Sequence, residues 1–321
     1  MKSKANFFTL IMLFVFCTSK AQFVKHHGQL HVEGTQLTDQ NNNPIVLRGM
    51  SFGWHSMWPR FYNEKAVDWL KKDFNCNVVR AAMGIELGKM AYIKEPVFSK
   101  EKIEAVVNGA IKSDIYVIID WHSHNINLKE AKVFFAEMSK KYAKYPNIIY
   151  EVFNEPDDEG WPEVKAYAEE VIKVIRENDS KNIILVGSPH WDQDVNLPAA
   201  DPIKGYSNIM YTMHFYAATH GKELRERTDE ALKMGLPIFI SESAGMEASG
   251  DGSLNRKAWK EYIEWMEDRK LSWLTWSVSD KEETCSILNK SAKSEGKWKD
   301  EDLKESGIQV RQFLRKYNSQ D

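Results

Sequence analysis

Asn147-Ile148-Ile149-Tyr150-Glu151-Val152-Phe153-Asn154-Glu155-Pro156 is a short apolar run that ends on an amide, a carboxylate and a proline. Its length and β-branched content are those of a buried strand, and the proline stops it. A second such run, Pro237–Ser241, ends on Glu242, 87 residues after Glu155. Working outward, similar runs occupy Ile45–Phe52, Asn77–Met83, Ile115–Asp120, Ile148–Phe153, Ile183–Gly187, Ile209–His214 and Leu271–Ser277. Helical patterns separate most of them: Glu64–Phe74, Glu101–Lys112, Leu128–Lys144, Pro162–Glu177, Lys222–Met234 and Leu254–Arg269, with Glu301–Lys316 closing the chain. Eight buried-type strands alternating with helices predict an α/β fold, a parallel sheet closed into a (β/α)8 TIM barrel. The competitor is a doubly wound open sheet, but no glycine-rich phosphate loop follows any strand. Gly28–Val46 alternates weakly and contains Asp39-Gln40-Asn41-Asn42-Asn43-Pro44, which predicts a small N-terminal β-hairpin with a polar turn there.

The 321 residues are 43% hydrophobic and 12% aromatic, enough for one large domain with a sizeable core. The formal net charge of −3 and the lack of a basic stripe exclude a nucleic-acid partner and favour an uncharged substrate. The N-terminus has the pattern of a secretory signal peptide over residues 1–21: Lys2 and Lys4, an apolar stretch from Phe7 to Cys17, then Ser19-Lys20-Ala21 before the cleavage point. That stretch is too short to span a membrane, and the bulky Phe16 before Cys17 argues against a lipid anchor. Residues 22–321 then form a single catalytic domain, exported to the periplasm or the medium and read as a monomer. Cys76 and Cys285 remain in it; export permits a disulfide between them but does not imply one.

The strand ends carry the chemistry. In this barrel the working face lies at the C-terminal ends of the strands. There the sequence sets Trp54, His55 and Trp58; Arg80; Asp120, His122 and His124; Asn154 and Glu155; His190, Trp191 and Asp192; His214 and Tyr216; Glu242; then Trp276, Asp280, Lys281 and Glu283. Two glutamates at two strand ends supply what glycoside cleavage needs, one acid and one nucleophile or base. An asparagine directly before the first can hold a sugar hydroxyl. A buried cation at Arg80 facing Glu242 would keep that carboxylate ionised. His122-Ser123-His124 also has a metal-ligand spacing, but a metal hydrolase would leave both glutamates unexplained.

With these residues in this order, the chain resembles the glycoside hydrolase family 5 cellulases, close to the Bacillus-type endoglucanases. The resemblance covers nearly the whole mature chain, through Leu47-Arg48-Gly49-Met50-Ser51, Arg80-Ala81-Ala82-Met83, Asp120-Trp121-His122, Asn154-Glu155-Pro156, His214-Phe215-Tyr216, Ser241-Glu242, Leu271-Ser272-Trp273 and Trp276-Ser277. It implies a retaining endo-β-1,4-glucanase acting on β-glucan, with no metal or organic cofactor. Glu155 would be the acid/base and Glu242 the nucleophile, held by Arg80 and Tyr216. Asn154 would bind the 2-hydroxyl, His122 and His214 would complete that subsite, and Trp276 would be its floor. Trp58, Lys281 and Glu283 would bind the non-reducing side and Trp191 the leaving side. The chain departs from these relatives at Gly84, where they often carry tyrosine, and at Glu242-Ser243-Ala244, where they often read Glu-Trp-Gly. Both changes remove an aromatic near the cleft, so glucomannan, mannan or mixed-linkage glucan are alternative substrates. A glycan-binding protein without catalysis is the alternative from another class.

Overall fold

A computed structural model describes residues 22–319. The leader expected over residues 1–21 lies outside the described residues. Two short antiparallel strands, β1 (His31–Glu33) and β2 (Gln36–Thr38), precede eight parallel ones. These are β3 (Arg48–Phe52), β4 (Val78–Gly84), β5 (Tyr116–His122), β6 (Ile148–Glu151), β7 (Ile183–Val186), β8 (Ile209–Tyr216), β9 (Ile238–Ala244) and β10 (Trp273–Val278). They pair in sequence order and close, β10 against β3, into a barrel. Closure removes both sheet edges and rules out the open doubly wound alternative.

Helices Pro96–Ser113, Leu128–Tyr142, Trp161–Arg176, Lys222–Lys233, Arg256–Asp268 and Glu305–Tyr317 surround the barrel. Several boundaries differ from expectation for local reasons. The hairpin turns at Gly34-Thr35, where Gly34 takes φ 60°. The asparagine-rich Asp39–Pro44 segment forms a separate turn after it, with Asp39 Oδ1 accepting from the amides of Asn41 and Asn43. The helix that follows β4 starts at Pro96, whose missing N–H costs nothing in the first turn. The expected helix Glu64–Phe74 is an α-helix to Trp69 that widens into a π-turn over Leu70–Phe74.

Side chains inside the barrel follow the strand period of two. Below, Val78, Tyr116, Ile118, Ile149, Ile183, Leu185, Met210, Phe239 and Leu274 form an apolar cluster closed by Val24, Leu30 and Leu37 from the N-terminal segment. Two residues further along, the inward positions turn polar: Arg80, Asp120, Glu151, Thr212 and Ser241, all fully buried. The outward faces, with Val79, Ala81, Ile119 and Tyr150, pack against the helices in the large outer core. The barrel is thus an apolar plug carrying a charged layer, and the cleft sits on that layer.

Candidate active site

β6 stops at Glu151, and the chain runs on through Val152–Pro156 with bends at Val152 and Asn154. Asn154 N donates to Trp121 O (3.2 Å) and Glu155 N to Ser123 O (3.2 Å), so β5 carries the segment past the end of its own strand. A Cβ at Gly187 would lie 2.6 Å from Phe153 O and 2.9 Å from Pro156 Cδ, so only glycine lets the neighbouring strand end approach this closely. On the other side, Glu242 lies within β9 and pairs in register with His214 of β8. One oxygen of Glu155, one of Glu242 and a ring nitrogen of His214 all lie within 4.8 Å of one another.

Glu242 is held at both oxygens. Arg80 Nη1 donates to Oε2 (2.9 Å) and the Tyr216 hydroxyl to Oε1 (2.8 Å). Arg80 also donates from Nε to Glu151 Oε2 (2.7 Å), from Nη2 to Asn154 Oδ1 (2.6 Å), and lies 3.0 Å from Asp120 Oδ2. Burial works against its charge, but three carboxylates around it hold its pKa well above the usual value. The side chain is fully enclosed, so Arg80 meets the cleft through Glu242 and Asn154 rather than as a direct sugar contact. Arg80→Met would leave Asp120, Glu151 and Glu242 buried without a cation, at an expected loss of about 3–5 kcal/mol of stability at neutral pH. The freed carboxylates would have raised folded-state pKa values, so the variant's native state would bind more protons than its unfolded state. Its deficit should therefore shrink as pH falls from 7 to 5, which urea unfolding at the two pH values would measure.

Glu155 is anchored by His214, whose Nδ1 lies 2.9 Å from Oε1, while His124 Nδ1 stands 3.8 Å from Oε2. Burial pushes Glu155 up; His124 and Arg80 pull against it. Burial and the nearby Glu155 push Glu242 up too, but Arg80, His214 and the Tyr216 hydroxyl favour its ionised form. Arg80 and the Tyr216 hydroxyl donate directly to Glu242 and not to Glu155, which favours the anion at Glu242. Burial brings His214 down to about 4, so its ring is neutral near pH 7. Asn154 is fully buried; its Oδ1 faces Arg80, and its Nδ2 has no hydrogen-bond partner among the described residues.

The cleft has two lobes that share His124, Glu155, Tyr216 and Ala248. The first, about 330 Å³, is lined by Trp54, Trp58, His122, Glu242, Trp276, Lys281 and Glu283. The second, about 570 Å³, is lined by Trp191, His214, Thr219 and His220. The residues expected to act as catalyst or to bind sugar thus converge here, with Arg80 and Asn154 beneath the surface, whereas His55, Asp120, His190 and Asp192 from the same strand ends do not line either lobe. Trp276, 7% exposed, stacks on His122 with centroids 5.0 Å apart, and His122 Nδ1 meets Asp120 Oδ2 at 2.7 Å. Trp191 stands out at 42% exposure. Lys281 and Glu283 pair with each other. Asp280 binds Arg60 (2.7 Å), outside the lining. The rings of His122 and His124 are 6.4 Å apart and engage different carboxylates, against a shared metal. Cys76 and Cys285 are both buried free thiols.

Sequence reasoning assigned no role to Glu151, Ser241 or Trp54. Glu151 was readable as a charge two residues after inward Ile149. Trp54 answers the departure at Gly84: a Cβ there would lie 2.7 Å from Trp54 Cε3, so the indole fills the volume a residue-84 side chain would take. Trp54 meets His122 edge-on at 4.4 Å and stacks on His124 at 5.9 Å. Ser243 is buried with its hydroxyl on Leu274 O (2.8 Å) and does not line the cleft.

Residues 38–282 match the family model of cellulase, glycosyl hydrolase family 5. The chain is 42% identical over 319 residues to endoglucanase A of Evansella cellulosilytica, covering 96% of this chain but 64% of that one. It spans less than two thirds of the length of that relative. A solved structure from Cytophaga hutchinsonii is 44% identical, with a TM-score of 0.91 over 93% of this chain and 98% of that one. The catalytic domain of Thermobifida fusca endoglucanase Cel5A, solved as a point variant with cellotetraose, is 33% identical, with a TM-score of 0.85 over 91% of this chain and 99% of that one.

Proposed function

Because this chain belongs to glycosyl hydrolase family 5, we propose that it is a secreted, retaining endo-β-1,4-glucanase, acting as a monomer on β-glucan. The observation that carries the mechanism is the separation of the two glutamates, with oxygens within 4.8 Å. Retaining enzymes hold their carboxyl groups about 5–5.5 Å apart and inverting ones about 6.5–9.5 Å, to admit a water. Glu155 protonates the glycosidic oxygen while Glu242 attacks the anomeric carbon. Water then cleaves the glycosyl-Glu242 ester, with Glu155 as base.

The supporting residues follow from the contacts. Arg80 and Tyr216 orient Glu242 and favour its anion. Asn154 presents an unpartnered buried N–H, which is costly until a ligand accepts from it, and a sugar 2-hydroxyl is such an acceptor. Trp276 and His122 form the floor and wall of the cleaved sugar's subsite, with Trp54, Trp58, Lys281 and Glu283 beyond it. Trp191 and His214 serve the leaving side. Lobes on both sides of Glu155 favour an internal cut, since chain can extend each way from the scissile bond. No step calls on a cofactor.

Trp54 returns an indole to the region that Gly84 leaves empty, which favours glucan over the mannan alternatives. Reducing-sugar release with product-length analysis should show carboxymethylcellulose cut to mixed oligosaccharides, faster than mannan. Activity on mannan alone would sink the cellulase reading, and products of a single length would sink endo action. For export, residues 1–21 are proposed to be removed, leaving 22–321 as one catalytic domain. N-terminal sequencing of protein recovered outside the cytoplasm should begin at Gln22.

A further inference from the structure

Asp192 is a fully buried carboxylate to which the reaction above gives no task. Three successive non-glycine residues with positive φ hold it there: His190 (59°), Trp191 (53°) and Asp192 itself (60°). Such a run is disfavoured, and where it persists the surrounding contacts impose it. Those contacts are specific. Asp192 Oδ1 accepts from the Ser188 amide, Oδ2 accepts from the Thr212 hydroxyl (2.8 Å), and the same Oδ2 lies 3.2 Å from His214 Nε2.

The hydrogens around His214 can be placed one by one. Arg80 donates to both oxygens of Glu151, which fixes that group as a carboxylate. Ser241 Oγ gives its only hydrogen to Glu151 Oε1 (2.7 Å). The same Oγ lies 2.8 Å from His214 Nε2, so there it must accept, and Nε2 carries the hydrogen. Asp192 Oδ2 is a second acceptor for it. In the neutral ring Nδ1 is then a bare lone pair, 2.9 Å from Glu155 Oε1. That contact closes only with a proton on Glu155.

We infer that Asp192 is a positioning residue: with Ser241 it holds His214 in the Nε2–H tautomer, and so keeps Glu155 protonated and ready. The consequence for turnover rests on Glu155 being the acid. The sign follows from the hydrogen bonds. Asp192 faces His214 and, beyond it, Glu155 and Glu151; burial and the nearby Glu155 push its carboxyl up, so it acts on the ring as an acceptor and not through a full charge. Glu155 is also faced by His124, His220, Arg80, Asp157 and Glu242. Weakening the acceptor at Nε2 loosens the tautomer, and a ring that carries its hydrogen on Nδ1 donates to the Glu155 anion, so Glu155 loses its proton at lower pH.

Two measurements test this. Side-chain 15N NMR of the full chain without substrate should show His214 protonated at Nε2 and bare at Nδ1, and a mixture of tautomers in Asp192→Asn. A parent His214 protonated at Nδ1 would overturn the inference, whatever the enzyme cleaves. In the pH profile of kcat/KM on cellotetraose, the alkaline limb of Asp192→Asn should move roughly one pH unit towards acid, with KM little changed. Should that variant not fold, Ser241→Ala should shift the limb in the same direction. A limb that stays in place in a folded variant overturns the inference. A parent with no turnover on any glucan counts instead against the proposed function and leaves the NMR result standing.

Discussion

Glu242→Gln is expected to lower kcat on soluble β-1,4-glucan by on the order of 10⁴-fold or more, with cellotetraose binding kept. The amide keeps the shape of the carboxylate, and its oxygen can still accept from the Tyr216 hydroxyl, as Oε1 does at 2.8 Å in the parent. What it loses is the ability to attack the anomeric carbon and to leave again as a carboxylate. The loss should fall on kcat, because the interaction removed belongs to the transition state. A slow fluorinated cellobioside should accumulate as an adduct on the peptide carrying Glu242, visible by mass spectrometry, and the variant should form none. Turnover within tenfold of the parent, or an adduct on another residue, would overturn the assignment.

Glu155→Ala should give a different signature. The acid matters in proportion to the basicity of the departing oxygen, so cello-oligosaccharide cleavage should fall by about 10²–10⁴-fold. A dinitrophenyl cellobioside departs without a proton, and formation of its glycosyl-enzyme should be nearly spared. The second step, now without a base, becomes limiting, and azide should rescue it to a product of retained configuration. Equal losses on both substrates would remove Glu155 from the acid role. On the proposed roles, the alkaline limb of the parent's profile should report loss of the Glu155 proton, displaced to higher pH by the upward push of burial, and the acid limb should report protonation of Glu242.

Much of this site was legible because strand ends carry their polar residues in recognisable runs. The positions of Glu155, Glu242, His214 and Trp276 follow once eight strands are counted, and the counting was robust to errors of a few residues at each end. What escaped notice depends on pairing between distant segments. Glu151 reads as ordinary strand until Ile149 is known to face inward, and Ser241 reads as a spacer until β6 and β9 are known to face each other across the barrel. The asparagine-rich segment drew the hairpin turn to itself on composition, although Gly34 supplies the positive φ that the tight connection uses. Nothing local marks residues 190–192 as left-handed; their conformation is imposed by the Ser188, Thr212 and His214 contacts. The loss of an aromatic at Gly84 looked like a loss of binding surface because its replacement, Trp54, arrives from another strand end.

The division of the barrel into an apolar plug below and a charged layer above bears on how such a chain can change over generations. Folding draws chiefly on the lower half and the outer core, while recognition is written on rim loops that contribute little to either. Substitutions at the rim can therefore drift, be exchanged between strand ends, or be tried in pairs, without endangering the scaffold. The Trp54 indole beside Gly84 shows bulk at one strand end supplied from another. The same partition sets its limit: a change to Arg80 or its three carboxylate neighbours alters scaffold and chemistry together, so the innermost polar layer is where mutational tolerance ends.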